Sequence, residues 1–269
     1  MWTFGITQWC LPGNNDCTLP LAKALGFDAV QLDFGSPQKG MALAHPQLRR
    51  LYAEERDRLG IHLLPLAVNA LCKCSMTAEA HSSEGRAATD LIARALDAAA
   101  DLGLEGIALP SFGASKIETD ADYARTVAVL RAACDAASAR KLLVYTENVL
   151  SAPQLTQLFR DCAAEPLRLL FDSRNYAAHG DVDAIAVLRT HWDKIGSFLH
   201  VKDGGPCGTL PLGTGDCPLT AVMALLRAQG YSGTITLENN YCDASICARP
   251  EDCLPAIARD QQAIRSAIA

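Results

Sequence analysis

The sequence predicts an α/β protein, a closed (β/α)8 TIM barrel, on three observations. Short apolar runs rich in β-branched residues recur along the chain, and each is followed by a polar loop and then an Ala/Leu/Arg-rich stretch at helical spacing. Glycine ends most of those stretches just before the next apolar run. The runs begin about 33 residues apart, the length of one strand-helix unit.

Taken in order, the first strand is Phe4–Gln8, with a helix over Leu21–Gly26 leading to the second strand at Ala29–Asp33. Leu48–Gly60 is the next helix and Ile61–Val68 the third strand. Within Gly85–Gly103, Ala88, Leu91, Ile92, Ala95, Leu96, Ala99 and Leu102 fall on one stripe, so an amphipathic helix stops at Gly103 before the strand Gly106–Leu109. Tyr123–Arg140 repeats that grammar ahead of Leu142–Glu147. Strands follow at Arg168–Asp172, Gly196–Val201 and, after the helix Leu219–Gly230, at Gly233–Glu238. Parallel strands with crossover helices are implied.

No Pro/Gly/Ser linker interrupts the chain, so residues 1–269 are read as a single domain. An open doubly wound sheet would show a glycine-rich turn after its first strand, and Gln8-Trp9-Cys10-Leu11-Pro12-Gly13 has no G-x-G-x-x-G. The stretches Gly204-Gly205-Pro206-Cys207-Gly208 and Gly213-Thr214-Gly215-Asp216 lack a Walker lysine and are read as mobile loops.

The 269 residues carry 24 Lys+Arg against 30 Asp+Glu, a net charge of −6, the wrong sign for gripping polyphosphate through a basic face. A nucleic-acid partner is therefore not expected, and no apolar run reaches the ~20 residues of a membrane span. The opening Met1-Trp2-Thr3-Phe4-Gly5-Ile6 has neither a basic nor an apolar leader segment, and the expected setting is cytoplasmic with reduced thiols. The oligomeric state is left open, a homo-oligomer included. Eleven cysteines are too few for a disulfide scaffold and odd in number.

In such a barrel the strand ends face the active site. Four consecutive strands close on metal-ligand residue types: Glu147, Asp172, His200 and Glu238. Each ends an apolar run where a structural residue would be aliphatic. Three carboxylates and one imidazole make a hard, oxygen-rich site for one divalent ion, Mn²⁺ first, with Mg²⁺, Co²⁺ or Zn²⁺ as alternatives. An ion chelated by a ketone oxygen and its neighbouring hydroxyl acidifies the adjacent C–H by stabilising the developing enediolate. With Glu147 on one face and Glu238 on the other, one carboxylate removes the proton and the other returns it, which is epimerisation or isomerisation of a sugar or keto-polyol. A β-hydroxyl on the substrate would turn the same first step into dehydration.

The order of Glu, Asp, the run His200-Val201-Lys202-Asp203 and a final Glu resembles the xylose isomerase-like superfamily of sugar epimerases and isomerases. That superfamily includes tagatose 3-epimerase-like enzymes, hydroxypyruvate isomerases and inosose dehydratases. Gly213–Asp216 and Gly230-Tyr231-Ser232-Gly233 add to the resemblance, which covers nearly the whole chain. It implies that Glu147, Asp172, His200 and Glu238 hold one metal and that Glu147 and Glu238 double as the acid/base pair. Many epimerases place a histidine three residues after the strand-six Asp; here that position is Asn175, which can hydrogen-bond a hydroxyl but carries no charge. His179 reads as a surface histidine.

Lys202 either faces a substrate oxygen or carboxylate or pairs with Asp203 or another acid. Asn69 and Ser111, just past strands three and four, are further substrate-binding candidates, or simple loop caps. Cys10, Cys17, Cys72, Cys74, Cys207, Cys217, Cys242, Cys247 and Cys253 fall in or beside loops after strands, where they pack the loops or pair if the protein meets an oxidising compartment. Cys134 and Cys162 lie in helical stretches as small buried hydrophobes. Abasic-site cleavage on a related barrel would need more histidines at strand ends, whereas strands three and four close on Val68-Asn69 and Leu109-Pro110. A sugar-binding protein without catalysis would have no need of Glu147 and Glu238 together.

Overall fold

The computed structural model describes residues 2–13, 17–179 and 182–268. In chain order the strands are β1 (Thr3–Thr7), β2 (Ala29–Gln31), β3 (His62–Leu63), β4 (Leu66–Ala67), β5 (Gly106–Pro110) and β6 (Leu143–Glu147). They continue as β7 (Leu167–Leu169), β8 (Phe198–Val201), β9 (Gly204–Gly205), β10 (Gly208–Thr209) and β11 (Thr234–Leu237). The helices are α1 (Thr18–Ala24), α2 (Pro46–Leu59), α3 (Ser83–Asp101), α4 (Asp120–Ser138), α5 (Ala152–Cys162), α6 (Asn175–His179), α7 (Ala184–Thr190), α8 (Leu219–Ala228) and α9 (Cys253–Ile268). The chain forms two compact units, one of Met1–Val30, Val149–Ala152 and Phe171–Ala269, the other of Gln31–Asn148 and Pro153–Leu170.

In the first unit β1 pairs in parallel with β11, and β11 in parallel with β8. The register sets Thr236 against His200 and Leu237 against Val201. Asp172 joins this edge through an isolated parallel bridge to His200. Ile6, Phe198, Leu199, Val201, Ile235 and Leu237 are buried along these strands, and Val222, Met223 and Leu226 of α8 are buried as well. At about 25 cal/mol per Å² of apolar area removed from water, each such side chain contributes roughly 1.5–3 kcal/mol. The strands thus fix their C-terminal ends, where the polar residues stand.

In the second unit β4, β5, β6 and β7 form a parallel sheet in that order. Every residue of β5 is buried, because a parallel strand covered by helices has no wet face. The α3 stripe is as expected: Ala88, Leu91, Ile92, Ala95, Leu96 and Ala99 are buried. Its start is set by Ser82, whose side chain accepts the Gly85 N–H, and its end by Gly103 at φ 66°. Thr119 and Asp122 close a capping box on α4.

Three departures have local causes. The third strand, expected to run unbroken over Ile61–Val68, divides at Pro65, which has no N–H for a ladder; the Gln31 amide donates to the Pro65 carbonyl instead (3.0 Å). The sixth ladder stops at Leu169, and Asp172 lies beyond it. The first glycine-rich stretch is no mobile loop: β9 and β10 pair antiparallel, Gly205 with Gly208 and Gly204 with Thr209.

Candidate metal-binding site

In the first unit, Asp172, His200 and Glu238 each present one ligand atom, and these atoms lie within 4.8 Å of one another. The strand register explains why. His200 is inside β8, Glu238 follows β11 with its N–H donated to the Val201 carbonyl (2.9 Å), and Asp172 bridges to His200. Asp172 and His200 are 1% and 2% exposed, so a cation there has little water to compete with. His200 Nδ1 is 3.2 Å from Glu238 Oε2, and the imidazole lies edge-on to both Trp9 and Phe198.

Each carboxylate divides its two oxygens between different partners. Asp172 Oδ1 accepts the backbone N–H groups of Arg174 (2.8 Å) and of Asn175 (2.7 Å), the first residue of α6. Asp172 Oδ2 is 3.2 Å from the Lys202 ammonium. Glu238 Oε1 accepts the Trp9 indole N–H (3.1 Å), and Oε2 accepts from Lys202 Nζ at 2.7 Å. Burial pushes the Asp172 carboxyl up, against the opposing pull of Lys202. Burial also opposes ionisation of Glu238, but the Lys202 and His200 charges prevail and hold it well below the usual carboxylate range.

Lys202 therefore pairs with two of the expected metal ligands, and Asp203 has a different task. Asp203 is 2% exposed and gathers backbone amides: Oδ1 accepts from Gly204 (2.8 Å) and Cys217 (3.0 Å), Oδ2 from Gly213 (2.8 Å) and Gly215 (3.0 Å). Gly215 is required by this approach, since a Cβ there would collide with Asp203 Oδ1 and the Gly204 carbonyl. The second glycine-rich stretch is thus ordered by one carboxylate. Asp203 is fixed in turn by Asn239, whose Oδ1 accepts its N–H (2.8 Å) and whose Nδ2 donates to Asp260 of α9 (2.7 Å). Asp260 also accepts from the Tyr241 hydroxyl (2.9 Å) and the Leu212 N–H (3.0 Å).

A cavity of about 270 Å³ opens over this site, lined by Trp9, Arg174, Lys202, Thr209, Glu238 and Asn240 among others. Arg174 at its rim is engaged by Asp216 (2.7 Å). Asn175 is buried beside Asp172, while His179 is exposed at the end of α6, as a surface histidine should be. Trp9, Asp203, Asn239 and Asp260 are contributors that residue spacing does not reveal. The one available signal was position, since Asp203 and Asn239 directly follow Lys202 and Glu238.

The other expected site residues belong to the second unit. Glu147 ends β6 and is 8% exposed, and its carbonyl accepts the Ser111 N–H (2.8 Å). Ser111 is buried, and its hydroxyl has no hydrogen-bond partner among the described residues. Asn69 opens a short 3-10 turn and donates its backbone N–H to Asp33 Oδ1 (3.2 Å).

Among the described residues no disulfide joins the cysteines, and several thiols pack loops by donating to carbonyls: Cys10 to Glu238 (3.3 Å), Cys242 to Leu11 (3.5 Å) and Cys253 to Tyr241 (3.0 Å). Cys134 and Cys162 are buried in helices as expected. Among the described residues, no helix is long and apolar enough to cross a membrane.

Parallel strands crossed by helices, with acids and an imidazole on one C-terminal edge, define an α/β protein with a side-chain cluster that could hold a cation. Residues 19–263 match the family model described as xylose isomerase-like TIM barrel, and the chain belongs to that family. A curated relative from Actinoplanes sp. (strain SE50/110), 2-epi-5-epi-valiolone 7-phosphate 2-epimerase, is 33% identical over 244 residues, covering 89% of this chain and 87% of the relative. D-psicose 3-epimerase from Clostridium cellulolyticum H10, solved with D-tagatose, superimposes with a TM-score of 0.80 at 15% identity over 99% of each chain. The IOLI protein with a bound zinc atom gives 0.73 at 17% identity over 99% of this chain and 98% of that one. The two structures are alike in fold, which is the TIM barrel.

Proposed function

We propose that the chain is a divalent-metal-dependent epimerase or isomerase of a sugar or keto-polyol, with Glu147, Asp172, His200 and Glu238 as ligands. The observation that carries this is the convergence of Asp172, His200 and Glu238 with a cation, the Lys202 ammonium, already bridging the two carboxylates. The residues therefore fit a positively charged guest. The full donor set, three carboxylates and one imidazole, suits a hard divalent ion, for which Mn²⁺ is the first choice. The epimerase names of the curated relative and of the sugar-epimerase neighbour support the reaction class, and the bound zinc of the IOLI protein supports a metal.

Asp172, His200 and Glu238, with Glu147, would hold a divalent ion, which would supply Lewis acidity for acidifying a C–H beside a carbonyl. Glu147 and Glu238 then move the proton, one removing it and the other returning it. Trp9 and His200 hold Glu238 so that its carboxylate plane does not wander. While Glu238 is paired to Lys202 it is a weak base. Asn175, Lys202, Asn69 and Ser111 are the side chains assigned to substrate oxygens; Ser111 is favoured by its buried hydroxyl. We further read residues 1–269 as one TIM-barrel domain, supported by a family match that runs unbroken from 19 to 263.

The test loads purified protein with Mn²⁺ and counts bound metal, then offers ketoses, keto-polyols and 2-epi-5-epi-valiolone 7-phosphate in D₂O. Deuterium entering one carbon without loss of water is the expected result. A deoxy-diketone product would instead identify a dehydratase, and a protein that binds no divalent ion and gains no activity from it overturns the reading.

A further inference from the structure

The bonding at the two carboxylates leaves little choice about where a metal ion would sit. Asp172 Oδ1 is engaged by two backbone N–H groups and Glu238 Oε1 by the Trp9 indole, so each carboxylate has one oxygen turned toward a cation. Those two oxygens, Asp172 Oδ2 and Glu238 Oε2, are the ones that Lys202 Nζ approaches at 3.2 and 2.7 Å. A divalent ion held by those two oxygens would stand close beside the ammonium, where two positive charges repel. The two cations cannot share the position. Lys202 has somewhere to go, because its side chain is 21% exposed and lines the 270 Å³ cavity.

We propose that Lys202 is a tethered competitor of the metal: its ammonium neutralises Asp172 and Glu238 until a divalent ion displaces it into the cavity. This rests on the metal-site reading above. The exchange is one cation for another, with no bond made or broken in the chain. Its consequences are two. The acidic pair is never left buried without a counter-charge, a situation that costs far more than an intact pair. Metal loading also delivers a positive charge to the cavity at the moment the site becomes competent, so an anionic or hydroxyl oxygen of the substrate meets Lys202 only in the loaded protein.

The experiment titrates Mn²⁺ alone, and separately Zn²⁺ alone, into metal-stripped full-length protein by calorimetry, for wild type, Lys202→Met and Lys202→Arg. Removing the competitor tightens Kd by about tenfold or more in Lys202→Met, whereas Lys202→Arg, which keeps a cation, stays within about threefold of wild type. Equal or weaker binding by Lys202→Met overturns the proposal while leaving the metal site standing. Absence of binding by wild type and Lys202→Met alike overturns the metal site itself. Should Lys202→Met fail to fold without metal, wild type answers alone: reductive methylation read by mass spectrometry labels Lys202 faster after Mn²⁺ addition, with Lys116 and Lys194 unchanged as surface controls. Unaltered or slower labelling of Lys202 sinks the idea.

Discussion

Two cavities of similar volume lie in the two units and differ in everything but size. The one in the second unit, about 240 Å³, lies along α3 and α4 and is walled by Ala88, Ile92, Leu96, Ala132 and Ala133. The one in the first unit, about 270 Å³, is walled by Trp9, Arg174, Lys202, Asp203, Glu238 and Asn239. Both come from the same strand-helix grammar. Volume alone is therefore no guide to chemistry; what separates them is whether buried polar atoms converge and whether those atoms are themselves held by others.

The sharpest way to break the comparison is Glu238→Gln. It removes one ligand charge and one member of the acid/base pair, and kcat/KM should fall by about 10³-fold, with Mn²⁺ affinity reduced in calorimetry. Retention of full activity would move the chemistry elsewhere. Next comes Asp203→Ala, which strands four backbone amides in the first unit. It should cost about 3–5 kcal/mol in urea unfolding, and a variant within 1 kcal/mol of wild type would show that the loop does not depend on that carboxylate. In the second unit Leu96→Ala should cost about 3 kcal/mol yet leave Mn²⁺ affinity unchanged, because it removes packing alone. The smallest effect belongs to Arg94→Ala, whose exposed partner Asp90 is 3.7 Å away; its stability change should stay below about 0.5 kcal/mol.

The thiols sharpen the same contrast between packed and open surroundings. Burial pushes Cys134 up to about 12 and Cys162 up to about 11, so both remain protonated at pH 8. A thiol reagent at that pH should modify exposed Cys17 and Cys207 promptly and reach Cys134 and Cys162 only on unfolding. Prompt labelling of Cys134 would contradict the packing of α4.

Much of the fold was legible because its signals are local. The stripe on α3, the glycine stops at Gly60, Gly103 and Gly230, and the lone acids ending apolar runs all follow from single-element rules. What escaped notice depends on partners far along the chain. Pro65 breaks a ladder only where that ladder exists. Gly213 and Gly215 look mobile until Asp203, ten and twelve residues earlier, is seen to collect their amides. Lys202 was open between a substrate oxygen and pairing with Asp203 or another acid; it pairs with two other acids, Asp172 and Glu238, which the sequence could not single out because its distance to them is set by two strand registers and an isolated bridge. Trp9 gave no sign at all, because a tryptophan after a strand is indistinguishable from core until its indole faces a carboxylate.

The glycine loop fastened by Asp203 also bears on how a substrate would enter. A glycine's freedom belongs chiefly to the unfolded chain. Once Asp203 collects the amides of Gly204, Gly213, Gly215 and Cys217, and Asp260 anchors Asn239 behind it, that freedom has been given up at folding rather than at each turnover. Those amides should exchange with deuterium as slowly as strand amides. A cavity mouth made this way selects its guests by a contour already set, so the entropic cost of recognition falls on the flexible polyol and hardly at all on the protein.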